Sequence, residues 1–190
     1  MAGKHLVLLG DSVFDNQAYV ARGRAVVDHL RRTLPPSDRV TLLAMDGDGS
    51  QDIPDQLRRL PPDTTHLALS VGGNDVLGCL HAFNAPCRSV SEAFTHLNVL
   101  QSQFASSYRS AVSMVARWQL PCVVCTIYDQ VPGLMPPLTT ALSLFNDVIT
   151  RELIRLRWDV LICVTCWWML RTLRLFRPLN RRMEGRKKLP

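Results

Sequence analysis

Leu6-Val7-Leu8-Leu9-Gly10-Asp11-Ser12-Val13 is the stretch whose reading decides the fold. Four aliphatic residues in a row, without polar alternation, are the pattern of a strand covered on both faces. Gly10 then permits a tight turn, and Asp11-Ser12 sets two small polar side chains just beyond the strand. The apolar half of this unit recurs. Runs at residues 40–44, 67–71, 122–127 and 160–164 have the length and branching of buried strands. Between them, residues 17–34, 91–118 and 138–156 carry apolar side chains at helical spacing. Each is long enough for a right-handed crossover between parallel strands. The pattern predicts a three-layer α/β/α sandwich on a parallel sheet of about five strands. Pro35-Pro36, Pro61-Pro62 and Pro136-Pro137 mark loops, and neither a repeat nor a domain linker is visible.

Composition narrows the class. A chain of 190 residues suits one domain, and 47% hydrophobic against 20% charged residues can bury a core. The longest apolar stretch, residues 160–170, is too short for a membrane span. The start shows no secretory signal pattern, so the six cysteines are expected to be thiols in a reducing cytoplasm. The net charge of +6 is unevenly placed. Residues 160–190 carry eight Lys and Arg against Glu184 alone, while the acidic and basic residues before them nearly cancel. A basic end can bind phosphates, but no nucleic-acid module surrounds it, so no nucleic-acid partner is expected. Cys122-x-x-Cys125 and Cys163-x-x-Cys166 imitate a zinc site. On strands, however, positions i and i+3 face opposite sides, so buried thiols and no metal are expected.

In an open parallel sheet, functional loops gather beyond the carboxyl ends of the strands. Three such loops carry Gly10-Asp11-Ser12-Val13, Asp46-Gly47-Asp48-Gly49-Ser50 and Gly72-Gly73-Asn74-Asp75. Each alone is ordinary turn chemistry, but three in order at successive strand ends are a pattern. The sequence resembles the SGNH/GDSL hydrolases, over about residues 6–159. Their first block, a strand and Gly-Asp-Ser, matches Leu6 to Val13. Their third, Gly-x-Asn-Asp, matches Gly72 to Asp75, and the second-block glycine maps onto Gly47, with Gly49 as the alternative. The resemblance implies a flavodoxin-like domain over residues 1–160, ester hydrolysis without a cofactor, and a small-molecule ester as partner. Ser12 is then the nucleophile, at a loop-to-helix start. The Ser12 and Gly47 backbone N–H groups and the Asn74 amide are the oxyanion donors. Asp11 and Asp75 beside them are assigned to substrate binding. Asp15 and Asp46 share the rim with Asp75, where solvated turn carboxylates are expected in preference to loop-ordering or cation-binding ones.

The general base is missing from this pattern. A serine hydroxyl normally passes its proton to a histidine, which the family supplies in a closing Asp-x-x-His block. Here the histidines are His5, His29, His66, His81 and His96, and none follows. Residues 161–190 also shift abruptly to Trp, Cys, Leu and Arg. A reading frame displaced by one base permits Asp-Leu-Arg across residues 161–164 and Ser-Pro-Ile-Glu-Pro-Ser across residues 176–182. That text is similar to a GDSL closing block with Glu in place of His. A frameshifted, basic end is therefore expected, and with it an impaired hydrolase. The alternative is a catalytically silent domain kept for binding.

Overall fold

The sheet is built around the stretch quoted above. In the computed structural model, which describes residues 3–129 and 133–161, strand β1 (His5–Gly10) is buried throughout. It pairs in parallel with β2 (Arg39–Leu42) on one side and β3 (His66–Ser70) on the other. Strands β4 (Cys122–Cys125) and β5 (Asp159–Leu161) extend the sheet, giving the order β2-β1-β3-β4-β5 with every pairing parallel. The predicted α/β/α sandwich on five parallel strands is what forms.

Alternation along the strands builds two cores. Val7, Leu9, Leu67, Leu69 and Val124 face α2 (Ile53–Arg58), α4 (Val90–Ala116) and α5 (Pro136–Leu156). Leu6, Leu8, Ala68 and Val123 face α1 (Val26–Thr33). Moving from β1 to β2 crosses one face, and moving from β3 to β4 and β5 crosses the other, as right-handed connections require. Cys122 joins the first core and Cys125 the second, which excludes that pair from a shared metal.

Three boundaries differ from the sequence reading. The expected helix over residues 17–34 is a short 3-10 turn (Gln17–Tyr19) followed only later by α1. Gly23, at φ +75°, interrupts the stretch, and the Asn16 side chain accepts from the Val26 N–H to start the helix anew. Strand β4 stops at Cys125 because Asn146 of α5 takes over the next backbone groups, bonding both the N–H and the C=O of Ile127. Pro136-Pro137 does not mark a loop; it opens α5, where proline's missing N–H costs nothing. Residues 162–164 of the fifth run, the pair Cys163 and Cys166, and the remainder of the basic end lie outside the described residues. Among the described helices none is long and apolar enough to cross a membrane.

Candidate active site

Gly10 ends β1 at φ +126°, and a Cβ there would stand 1.7 Å from the Ser70 carbonyl oxygen on β3. Only glycine lets the two strand ends close in this way. The chain then makes a single turn, with the Asp11 carbonyl accepting from the N–H groups of Phe14 and Asp15. Fully buried Phe14 anchors that turn in the α1-side core. Ser12 therefore sits on a one-turn loop rather than at a helix start, since α1 begins only at Val26. It is half-buried, and its hydroxyl makes no hydrogen bond among the described residues.

Asn74 arrives from the neighbouring strand. After β3, Gly72 turns at φ +121° against the Phe104 ring, and the short helix α3 (Gly73–Gly78) begins. The Asn74 amide donates one hydrogen bond to the Asp48 carbonyl, 2.8 Å away, leaving its second N–H uncommitted to that bond. Gly47 stands next to Asp48 in a turn closed from the Asp48 N–H to the Met45 carbonyl. Its φ of +89° suits glycine. Ser12, Asn74 and Asp11 line one cavity of about 280 Å³, whereas exposed Gly47 and half-buried Asp75 lie outside its wall.

The three loops are tied pairwise by side chains. Asp11 is nearly buried; one carboxylate oxygen accepts from the Val13 N–H, and the other lies against Gly73 at the start of α3. This joins the Ser12 loop to the Asn74 helix. Burial pushes the Asp11 carboxyl up to about 6, with the nearby Asp75 charge adding to the rise while backbone N–H groups oppose it. Asp75 joins the second and third loops. It accepts from the Ser50 N–H at 3.0 Å, and its carboxylate fills the space where Gly49 has no side chain. Gln56 joins the first and second. It accepts from the Gly10 N–H, donates to the Gly10 carbonyl, and donates to the Asp48 carboxylate, all within 2.8 Å. Of the other rim carboxylates, Asp15 accepts from the Asp46 N–H, and Asp46 accepts from the Tyr19 hydroxyl. Among the described residues no cluster of three His, Cys, Asp or Glu could hold a metal ion.

Gln56 was not singled out from the sequence, although a signal existed. It lies three residues after Ile53 and beside Leu57, on the helix stripe that turns inward. A polar residue on such a stripe needs partners, and the backbone of Gly10 supplies them. The α5 wall of the cavity was missed as well.

No histidine lines the cavity. His5 and His66 open β1 and β3, at the far end of the sheet. His29 lies in α1 and His96 in α4. His81 comes nearest in sequence, between the cavity residues Leu80 and Phe83. It is exposed, and its ring pairs with the Gly78 carbonyl.

No protein-family model matches the chain, and neither does any curated protein sequence. Solved structures do. A lipolytic protein of the G-D-S-L family from Veillonella parvula superposes with a TM-score of 0.63 at 16% identity, covering 90% of this chain and 84% of that one. Phospholipase A1 from Streptomyces albidoflavus gives 0.60 at 18% identity, covering 84% and 79%. The SGNH-hydrolase family esterase AlinE4 gives 0.60 at 15%, covering 84% and 75%. The chain thus has the fold shared by these SGNH and GDSL esterases and lipases.

Proposed function

We propose that the chain is a GDSL-type serine hydrolase of carboxylic esters, impaired in proton transfer. The observation that carries the reading is the meeting of Ser12 and Asn74 on one cavity wall, from loops that follow different strands. In this reading the Ser12 Oγ attacks the ester carbonyl carbon, and the carbonyl electron pair moves onto oxygen. The Asn74 amide and the Ser12 N–H receive that oxyanion, with Gly47, outside the cavity wall, left out of the donor set; collapse expels the alcohol, and water then releases the acyl group. Asp11 and Asp75 hold the loops that present these donors, a positioning role in place of direct substrate binding.

Without a histidine at the wall, the proton leaving Ser12 passes to water. Turnover is then slow. A serine hydrolase stripped of a triad member keeps roughly 10³–10⁴-fold over water from its oxyanion hole and binding. The test is turnover of p-nitrophenyl acetate. Ser12→Ala is expected to abolish the activity, and Asn74→Ala to lower it by roughly 10²–10³-fold. A chain carrying the frame-restored end is expected to exceed the native rate. Equal rates for the native chain and Ser12→Ala would remove Ser12 as nucleophile. The second reading, a silent domain kept for binding, would then stand, favoured by the same lack of a histidine on the described cavity wall.

A further inference from the structure

The cavity beside Ser12 is divided by chemistry. Its polar residues, among them Asp11, Ser12, Asn74 and Thr126, come from the strand ends and the loops just beyond them. The rest of its lining includes residues from the segment after α3 and from α5, and there Leu80, Phe83, Leu138 and Leu142 are aliphatic or aromatic. Among the described residues no charged side chain but that of Asp11 reaches the cavity. A sugar placed against that apolar lining would lose its hydration without gaining hydrogen bonds, which costs more than the contact returns. An alkyl chain loses nothing polar and leaves water for an apolar surface. Size sets the length. A cavity of about 150 Å³ lined by Leu, Ile and Phe takes up benzene; this one, at about 280 Å³, is nearly twice as large.

We propose that this cavity binds an unbranched aliphatic chain of about six to ten carbons carried by the ester presented to Ser12. The proposal rests on the hydrolase reading for the position of the ester and on the cavity alone for the chain. It makes the α5 wall the determinant of specificity, with Ala141 where that wall could be brought inward.

Two measurements on the full chain test it. The first is kcat/KM for p-nitrophenyl esters from acetate to dodecanoate, kept below their aggregation concentrations, beside ethyl and octyl acetate. The rate is expected to rise roughly two- to fourfold per methylene up to octanoate or decanoate and then level off. A rise in the alkyl acetates instead assigns the cavity to the alcohol side of the ester. In Ala141→Leu the ratio of decanoate to acetate rates should fall at least tenfold. The second is calorimetric binding of 1-octanol and 1-butanol to Ser12→Ala, neutral probes that avoid the Asp11 charge. Octanol should bind at least tenfold tighter. This comparison stands even if Ala141→Leu fails to fold.

Rates independent of chain length in both ester series, with octanol and butanol binding alike, would overturn the proposal. Ser12-dependent acetate turnover would then leave the hydrolase reading intact. The converse result, selective octanol binding without Ser12-dependent turnover of any ester, sustains the cavity and sinks that reading.

Discussion

The two ends of the sheet use polar side chains to opposite effect. At the amino ends, His5 pairs with Asp63 at 3.0 Å and with the Thr41 hydroxyl at 2.8 Å. Asp63 is also bridged to Arg39. A His–Asp pair is what a catalytic serine needs, yet this one stands a whole strand away from Ser12. Six residues of β1 put about 17 Å between its ends. Arg39 claims the Asp63 charge, and burial with Arg39 lowers the His5 pKa, so the contact is a hydrogen bond that closes the sheet and not a pair poised to accept a proton. At the carboxyl ends there are glycines, amides and carboxylates but no imidazole. Side-chain chemistry becomes a site only where topology brings it. In a parallel sheet one end gathers the loops after the strands and the other gathers the loops before them.

The largest expected effect probes the tightness of the carboxyl end. Gly10→Ala places a methyl group on the Ser70 carbonyl and strains a positive φ, so it should cost more than about 4 kcal/mol in urea unfolding. Near-native stability would mean that the strand ends can part, and the contrast with the amino end would lose its basis. Gln56→Leu comes next. It strands the buried Gly10 N–H and takes a donor from both the Asp48 carboxylate and the Gly10 C=O, which keeps its bond from the Met45 N–H, and should cost about 3 kcal/mol. Ser12-dependent hydrolysis should drop roughly tenfold with it, because the loop carrying Ser12 is freed.

Titration sharpens the comparison further, since the ends respond to pH with opposite signs. The folded Asp11 carboxyl titrates near 6, against 3.8 when unfolded. Between those values the folded chain holds a proton that the unfolded chain has released. The Asp11 contribution is therefore present below about pH 4 and lost as pH rises through 6, on the order of 3 kcal/mol. Asp11→Asn should flatten that fall in a denaturation series from pH 4 to 7.5. His5 and His66 have lowered pKa values, mainly from burial, so their contributions are lost as pH falls below 6.5. His5→Gln should remove part of that loss, cost about 1 kcal/mol at pH 7.5, and leave p-nitrophenyl acetate hydrolysis within twofold. A large loss of hydrolysis in His5→Gln would implicate the amino end in catalysis and break the comparison.

Strands β1, β3 and β4 were legible because each holds a contiguous apolar run, and burial on both faces leaves little room for another reading. Ser12 and Asn74 were legible because small polar residues followed those runs at strand ends. The helix expected over residues 17–34 failed for a reason that is also in the sequence. Gly23 breaks the stretch, but the Asn16 side chain that starts α1 acts from ten residues away, beyond any periodicity. Gln56 and the α5 wall were hidden because their meaning is tertiary. Leu138, Ala141 and Leu142 have ordinary helical spacing, and only the position of α5 beside β4 makes them a cavity wall.

The strand order has a consequence for synthesis on the ribosome. The strand made first lies inside the sheet, between partners made later: β2 ends at Leu42 and β3 at Ser70. At about 5–20 residues per second, roughly 3–12 s separate the emergence of Gly10 from that of Ser70. Through that interval residues 6–9, which end up almost wholly buried, have no finished sheet to enter. Of the five strand runs of this sheet they are the earliest that a nascent-chain chaperone would meet, and a run through which two unfinished copies would stick together.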